Sequence, residues 1–556
     1  MSNKPSLRMW GSWCLVLLGT LVLALPSPAG AEGSRADPAP APPLHCRSTQ
    51  SVLDLVINSS RDDINSGRLT ILGATVPVDL SALDFSTSPF ADPGRAMWWR
   101  SLAWLAVLWL PEGRSAPDTT IPDPIGAIVT AMGNTPDPGW DTPEARSLAR
   151  ASGWDEATNT RREQTLNCLF ELSGDGRLVP LLTTLAQANL DPARYYGPPS
   201  RVAHNHGTMA NLALMDTAHL LGDTELATRA RARLLEAAHR VFTARGYTFE
   251  QSSDYLEFNV QMWTIVAALF SADPTTPVET LAALTAALSR ARTMVAHLTD
   301  PTGHPAAYGD SRRSPRPVPP AQQSFTTRDD QGGIAAGRWS WTNRLTSWWS
   351  LRYGPPRRMH GHQDHGSVNW STLRVPVLVD PGYLGNDPAL PLVAWQSSPA
   401  AHNVAVPDDG KTRAQPASST IVRRWRDGRV DGVVVAVATW AKPLRTMIIV
   451  DDARRSLTLT TIMRGAFTTH LHLDPCWTQI QPTATARRFS CRGRVLTVEV
   501  GSQQTTVYRG STDPIAGWVF STAQVSTPAI ELAIAGLKSQ QLTLTVSRST
   551  TSPTPS

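Results

Sequence analysis

The sequence predicts a multidomain α+β protein, helical in its first part and antiparallel β in its second. Three observations carry this. Apolar residues recur at helical spacing, in segments separated by short breaks, up to about residue 297. From about residue 365 the period shortens to β-rich runs punctuated by Gly, Asp-Gly and Asp-Asp. Between the two lies His360-Gly361-His362-Gln363-Asp364-His365-Gly366-Ser367, the densest chemical stretch of the chain. At 556 residues there is room for two or more domains.

The elements follow in order. Lys4 and Arg8 precede an apolar run from Trp13 to Leu25, then Pro26, Pro28 and Ala29-Gly30-Ala31. That is the pattern of a secretory signal cleaved after Ala31, and the run is short for a membrane span. Residues 1–31 are read as a signal peptide and the product as secreted, without stable membrane insertion. Residues 32–45 are a Pro/Ala-rich leader. Leu53 to Leu69 suggests helix, and Leu72 to Val78 is ambiguous toward strand. Met97 to Leu110, rich in Trp, Leu and Ala, reads as one buried helix. Further helices are expected at 157–172, 178–188, 207–221, 224–244, 257–272 and 277–297. Gly222-Asp223 breaks one of these, and Asp223 can cap the next. Alanine-rich faces in helix–short-loop–helix units fit paired helices around a shared axis, and equally an irregular bundle. Residues 311–321 hold four prolines and read as loop; 332–352 hold four tryptophans and are ambiguous. Strands are expected in Val368–Val379, Thr420–Trp425, Val430–Trp440, Thr446–Val450, Leu457–Met463, Val495–Val500 and Leu542–Val546, the pattern of an antiparallel sandwich. Residues 549–556 are a Ser/Thr/Pro tail.

Composition narrows the function. Hydrophobic residues at 41% supply a sizeable core, and charged residues at 17% leave a lightly charged surface. The net charge of +5 falls to +3 without residues 1–31, compatible with an acidic partner. Arg357-Arg358 and Arg423-Arg424-x-Arg426 are too scattered for a nucleic-acid footprint. Export permits disulfides. Among Cys46, Cys168, Cys476 and Cys491, the pairing Cys46–Cys168 and Cys476–Cys491 is favoured, with free buried thiols as the alternative.

The chemistry-bearing stretches stay open on residue types alone. The histidine stretch suits zinc, proton transfer, or a solvated surface turn. On a strand, His360, His362 and Asp364 would share a face. His204, Asn205 and His206 stand at a helix start, where a carboxylate could bind, or where Asn205 simply caps. Phe249 to Tyr255 carries Glu250, Gln251, Asp254 and a tyrosine able to donate a proton, or is a helix cap at Ser253 beside a half-buried tyrosine. Tyr308-Gly309-Asp310 and Ala401-His402-Asn403 are further polar insertions.

The order of these motifs resembles the heparinase II/III-like family of polysaccharide lyases. Asn205-His206, Glu250-Gln251-Ser-x-x-Tyr255, Tyr308-Gly-Asp310, His360-Gly-His362-x-Asp364, Asp380-x-Gly382 and Ala401-His402-Asn403 carry the resemblance, which spans about residues 50 to 540. It implies an incomplete (α/α) toroid over 46–350 holding the catalytic residues, then an antiparallel β-sandwich over 351–548. It implies β-elimination on a uronic-acid polysaccharide, giving a C4–C5 unsaturated product. Asn205 and His206 would neutralise the uronate carboxylate. Tyr255 would transfer the proton, with His360 assisting as base or carboxylate ligand. His204, Glu250, Gln251 and Asp310 would contact substrate. His362, Asp380 and His402 would hold a structural zinc, with no organic cofactor. A glycoside hydrolase using two of Glu250, Asp254 and Asp310, or a binding protein without turnover, are the other classes.

Overall fold

In the computed structural model, many helices begin at side-chain caps. It describes residues 44–110, 116–119, 121–197, 200–385, 387, 389–408, 418–438, 443–522 and 525–549. The signal peptide, the leader up to residue 43 and the tail beyond Ser549 lie outside the described residues. The helices are α1 (Arg47–Leu55), α2 (Arg61–Asn65), α3 (Pro93–Arg100), α4 (Pro124–Gly133), α5 (Pro143–Ser152) and α6 (Glu156–Ser173). They continue as α7 (Val179–Leu190), α8 (Pro192–Tyr196), α9 (Asn205–Leu221), α10 (Thr224–Ala238), α11 (Ser253–Ala272), α12 (Val278–His297) and, among the strands, α13 (Pro391–Gln396). The described residues form two compact units, one of 44–241 with 261–281, the other of 242–260 with 282–549.

In the first unit the predicted break between two helices is present in detail. Gly222 takes a left-handed conformation, with φ +66°, at the end of α9. The Asp223 carboxylate then accepts the Leu226 N–H at 2.9 Å, capping α10. Met97 to Leu110 is not one helix. It divides into α3 and a 3-10 turn, Ala103–Leu108, with Leu102 left-handed between them. The Ser101 hydroxyl accepts the Ala103 N–H at 3.3 Å, while Trp104 Nε1 donates to the Trp99 carbonyl at 2.9 Å. Burial of the tryptophans is kept and helical regularity is given up.

The α6 helix is buried on nearly every side although many of its residues are polar. Several of its polar groups are paired inward. The Thr217 hydroxyl of α9 donates to Glu163 Oε1 at 2.7 Å, and Asn167 Nδ2 donates to the Ala213 carbonyl at 3.1 Å. Burial pushes the Glu163 carboxyl up to about 7. Cys46 and Cys168 form a disulfide in this unit. No helix of the described residues is long and apolar enough to cross a membrane.

In the second unit the strands begin at Thr326, well before the change of period near 365. A five-stranded antiparallel sheet runs in chain order through β3 (Thr326–Asp329), β4 (Ile334–Arg338), β5 (Trp348–Arg352), β6 (Val368–Thr372) and β7 (Val375–Leu378); the short hairpin β1 (Arg68–Ile71) and β2 (Ala74–Pro77) belongs to the first unit. The tryptophan-rich span 332–352 was ambiguous because β4 and β5 are buried on both faces, which removes the alternation that marks a half-exposed strand. One face of this sheet joins the inner face of a larger antiparallel sheet in a single core, with Trp349, Trp370 and Val377 against Val435, Leu457, Phe467 and Leu532. That sheet is organised on two long strands, Ser456–His472 and Ile530–Arg548, which pair along most of their length with a break between Ile462 and Ala466. Cys476 and Cys491 form the second disulfide.

The two bridges close chains of different length, 122 and 15 residues apart in sequence. Removing Cys46–Cys168 by paired Ser substitutions is expected to cost about 5 kcal/mol, and removing Cys476–Cys491 about 3 kcal/mol, through the unfolded chain's entropy. Urea unfolding followed by tryptophan fluorescence checks the order, and an equal or reversed order would count against that mechanism.

Candidate active site and metal centre

Three short segments of the second unit converge: 249–252 before α11, 308–311, and 358–362. Their backbones are locked together. The Asp310 N–H donates to the His360 carbonyl at 2.8 Å. The Gln251 side-chain amide accepts the Arg358 N–H at 2.7 Å and donates to the Pro356 carbonyl at 3.0 Å. The approach is too close for side chains. A Cβ at Gly309 would lie 2.3 Å from the His360 carbonyl oxygen, and one at Gly361 would lie 2.4 Å from Gln251 Oε1. Gly309 also has φ +63°, and Gln251 and Met359 are left-handed without being glycine, at +61° and +38°. Such backbone typically costs about 1–3 kcal/mol per residue and persists where surroundings over-determine it.

His360 to His365 is loop, not strand, so Asp364 does not share a face with the two histidines by pleating. His360 and His362 meet at Asp310 instead. His360 Nδ1 is 3.1 Å from Asp310 Oδ2, and His362 Nε2 is 2.9 Å from Asp310 Oδ1. Asp364 faces Arg352 Nε at 3.6 Å, both fully buried. His365 Nδ1 meets the Ser419 hydroxyl at 2.9 Å.

Tyr255 lies flat on His360, ring centroids 3.5 Å apart and planes 9° apart. Glu250 Oε2 is 3.4 Å from His360 Nε2, and Asn259 Nδ2 holds Glu250 Oε1 at 2.7 Å. Burial alone would push the His360 imidazole down. The hydrogen bond to Asp310 and the Glu250 carboxylate outweigh it and leave His360 raised. Burial would raise Asp310, but its two histidine hydrogen bonds hold it well below the usual carboxylate range.

The start of α11 places Tyr255. It comes at Ser253, four residues ahead of the expected 257, because its cap arrives from far along the chain. The Ser311 hydroxyl accepts the N–H groups of Ser253 and Asp254 at 2.9 and 3.1 Å. The Ser252 hydroxyl accepts that of Tyr255 at 3.3 Å. Asp254 is held by Arg312 Nε at 3.2 Å and Arg316 Nη2 at 2.6 Å, which ties the proline-rich loop to the helix start. Ser311, Arg312 and Arg316 were not singled out in the sequence. The adjacency of Ser311 to Asp310 was the one available signal.

His362, Asp380 and His402 present ligand atoms all within 4.8 Å of one another, and all three are buried. His402 Nδ1 is 2.9 Å from Asp380 Oδ2. Among the described residues, His362 Nδ1 and His402 Nε2 have no hydrogen-bond partner although they are buried. Buried polar atoms are rarely left so. Two imidazoles and a carboxylate with two idle nitrogens fit a metal ion of the zinc type. The supporting frame is rigid: Asn403 Nδ2 donates to the Val379 carbonyl at 2.9 Å, and Asn403 Oδ1 accepts the His472 N–H at 2.7 Å. Asn369 Oδ1 accepts the Asp380 N–H at 2.6 Å. Gly382 is required because a Cβ there would lie 2.6 Å from the Phe520 carbonyl.

In the first unit, His204 is the N-cap of α9, its Nδ1 accepting the His206 N–H at 3.0 Å. Asn205 is the first helical residue and is buried, so the expected cap by Asn205 is made by His204. Arg201 Nη1 is 2.9 Å from His206 Nδ1. A guanidinium only donates, so Nδ1 accepts and the His206 proton resides on Nε2, leaving a neutral donor. Arg201 is itself paired with Glu156. Gly207 is needed because a Cβ would lie 2.1 Å from the Arg201 carbonyl.

Helices of the (α/α) toroid type followed by an antiparallel β-sandwich define the architectural class. No family model and no curated protein matches the chain. Solved structures do. The crystal structure of heparinase III superposes with a TM-score of 0.67 at 13% identity, over 91% of this chain and 85% of that one. The heparan sulfate lyase HepC from Pedobacter heparinus gives 0.56 at 12% identity, over 91% and 84%. At these identities the likeness is one of fold: an incomplete toroid followed by a sandwich.

Two outcomes follow. Gly309→Ala meets a positive φ and a backbone collision together, so it should lower stability by at least about 1–3 kcal/mol in urea unfolding. Alanine accepted without loss would show that the approach of 308–311 to 358–362 is not tight. Burial pushes the His365 imidazole down to about 3, with Arg352 adding to it. Its folded value lies below its unfolded one, so between about 6.5 and about 3 the unfolded chain binds a proton that the folded chain refuses. Stability should therefore fall as pH drops through that window, and His365→Asn should flatten the slope. An equal slope in both proteins would remove His365 as a cause.

Proposed function

We propose that the protein is a polysaccharide lyase that cleaves a uronic-acid-containing polysaccharide by β-elimination. The observation that carries the reading is Tyr255 stacked on His360 at 3.5 Å, with the imidazole set between Glu250 and Asp310. The fold shared with heparinase III and a heparan sulfate lyase supports it.

In this reaction a base takes the C5 proton, which is α to the carboxylate and only weakly acidic. The released electron pair forms the C4–C5 double bond, the C4–O bond breaks, and the departing oxygen takes up a proton. No water is added. Negative charge builds on the carboxyl oxygens, so donors aimed there accelerate the step. Asn205 and His206 take that role; His206, with its proton on Nε2, suits it. Tyr255 transfers the proton next to the glycosidic oxygen, with His360 assisting. His362, Asp380 and His402 would hold zinc, which when bound braces the β-sandwich. Residues 1–31 are proposed to direct secretion.

The carboxylates a hydrolase would need are otherwise engaged. Asp310 is bound to two histidines, Asp254 to two arginines, and Glu250 to Asn259 and His360. Inverting hydrolysis needs an acid and a base about 6.5–9.5 Å apart with room for water. It is the engagement of the three acids that favours elimination in this reading.

A panel of uronic-acid polymers tests the reading by ultraviolet absorbance and product mass. At least one polymer should give an unsaturated product, and Tyr255→Phe should lower turnover about 10²–10⁴-fold while polymer binding persists. Saturated products carrying added water, or full activity without the Tyr255 hydroxyl, would refute it.

A further inference from the structure

We propose that Asp310 is a positioning residue that links the metal site to the proton-transfer histidine, one carboxylate setting the rings of His360 and His362 together. The inference rests on the lyase reading for its kinetic arm only. Sequence order had placed Asp310 against substrate. Its oxygens are instead taken by His360 Nδ1 at 3.1 Å and His362 Nε2 at 2.9 Å, in a site where both imidazoles are fully buried.

A carboxylate only accepts, so both ring nitrogens facing it carry hydrogen. For His362 this leaves Nδ1 as a bare lone pair, and Nδ1 is the nitrogen without a hydrogen-bond partner beside Asp380 and His402. The same carboxylate thus presents His362 in the form a metal requires. For His360 it fixes the ring plane that lies 9° from that of Tyr255.

The backbone beneath is set independently of any ion, by the Asp310 N–H on the His360 carbonyl and the missing Cβ of Gly309. The carboxylate and the two rings are set by side-chain contacts, among them Tyr255 and Glu250 on the His360 ring. With His362 anchored by a metal, one oxygen of Asp310 is anchored too, and the other is held toward His360. With His362 loose, the carboxylate loses one of its anchors, and the contact at His360 Nδ1 is less tightly set. An asparagine cannot replace it. The amide has one acceptor, so one histidine N–H would face an N–H.

The test crosses zinc removal with Asp310→Asn. Zinc affinity, measured by chelator competition, should weaken about ten- to a hundred-fold in the variant. On a polymer that wild type cleaves, either change alone should lower kcat at least tenfold with KM within about twofold. Stripping zinc from Asp310→Asn should lower kcat no further, because the two act through one element. Unchanged zinc affinity in the variant, or kcat losses that multiply, would overturn the proposal. Should Asp310→Asn fail to fold, Asp380→Asn removes a ligand without touching Asp310, and must reproduce the kcat loss at constant KM. Ring nitrogen NMR of His360 supplies a readout without substrate: its signals should change when zinc is withdrawn from wild type, and unaltered signals would refute the link. If no uronide is cleaved, the lyase reading fails, while zinc affinity and the ring spectrum still decide this one.

Discussion

The approach of the Gly309 backbone to the His360 carbonyl is the constraint on which the site depends. It brings Asp310 beneath two imidazoles, sets Ser311 at the start of α11, and thereby aims Tyr255 at His360. Each consequence comes from a neighbour in sequence of the same glycine. A side chain at that position would separate the segments by more than a hydrogen bond tolerates. Left-handed Gln251 and Met359 on the two facing strands of chain show that the pairing is maintained against local backbone preference.

Burying charge is costly, and the cost is met only when each ionised group keeps its partners. Asp310, Glu250, Asp364 and Asp380 are buried in one unit, with histidines and Arg352 against them. Removing any one member leaves another charge stranded. The network is nonetheless incomplete among the described residues, where His362 Nδ1 and His402 Nε2 find no partner. The vacancies in hydrogen bonding coincide with a compact set of metal-type donors, which gives the two idle nitrogens one common explanation.

Much of this was legible in the sequence, and unevenly. Caps written into adjacent residues, such as Gly222-Asp223, could be read directly because donor and acceptor are three residues apart. Both disulfides were legible once export was inferred. The α11 start was misplaced because its cap, Ser311, is 58 residues away from Ser253. Strands β4 and β5 were ambiguous because burial on two faces erases alternation. On a strand His360 and His362 would share a face; the stretch is loop, and a distant aspartate brings the rings together. Local patterns reported what is local; long-range hydrogen bonds do not leave a period.

The fold alone does not choose a chemistry, since one architecture carries many reactions. The choice is made by which side chains are already committed. Three carboxylates stand close enough in sequence to a tyrosine to look like hydrolytic equipment, yet each is engaged by histidine, arginine or asparagine. A carboxylate held well below its usual range by two imidazoles is a poor general acid. The phenol stacked on the imidazole is the arrangement on which the proposed elimination, a proton transfer without a nucleophile, rests. How the acids are occupied is reported by neither fold likeness nor motif order.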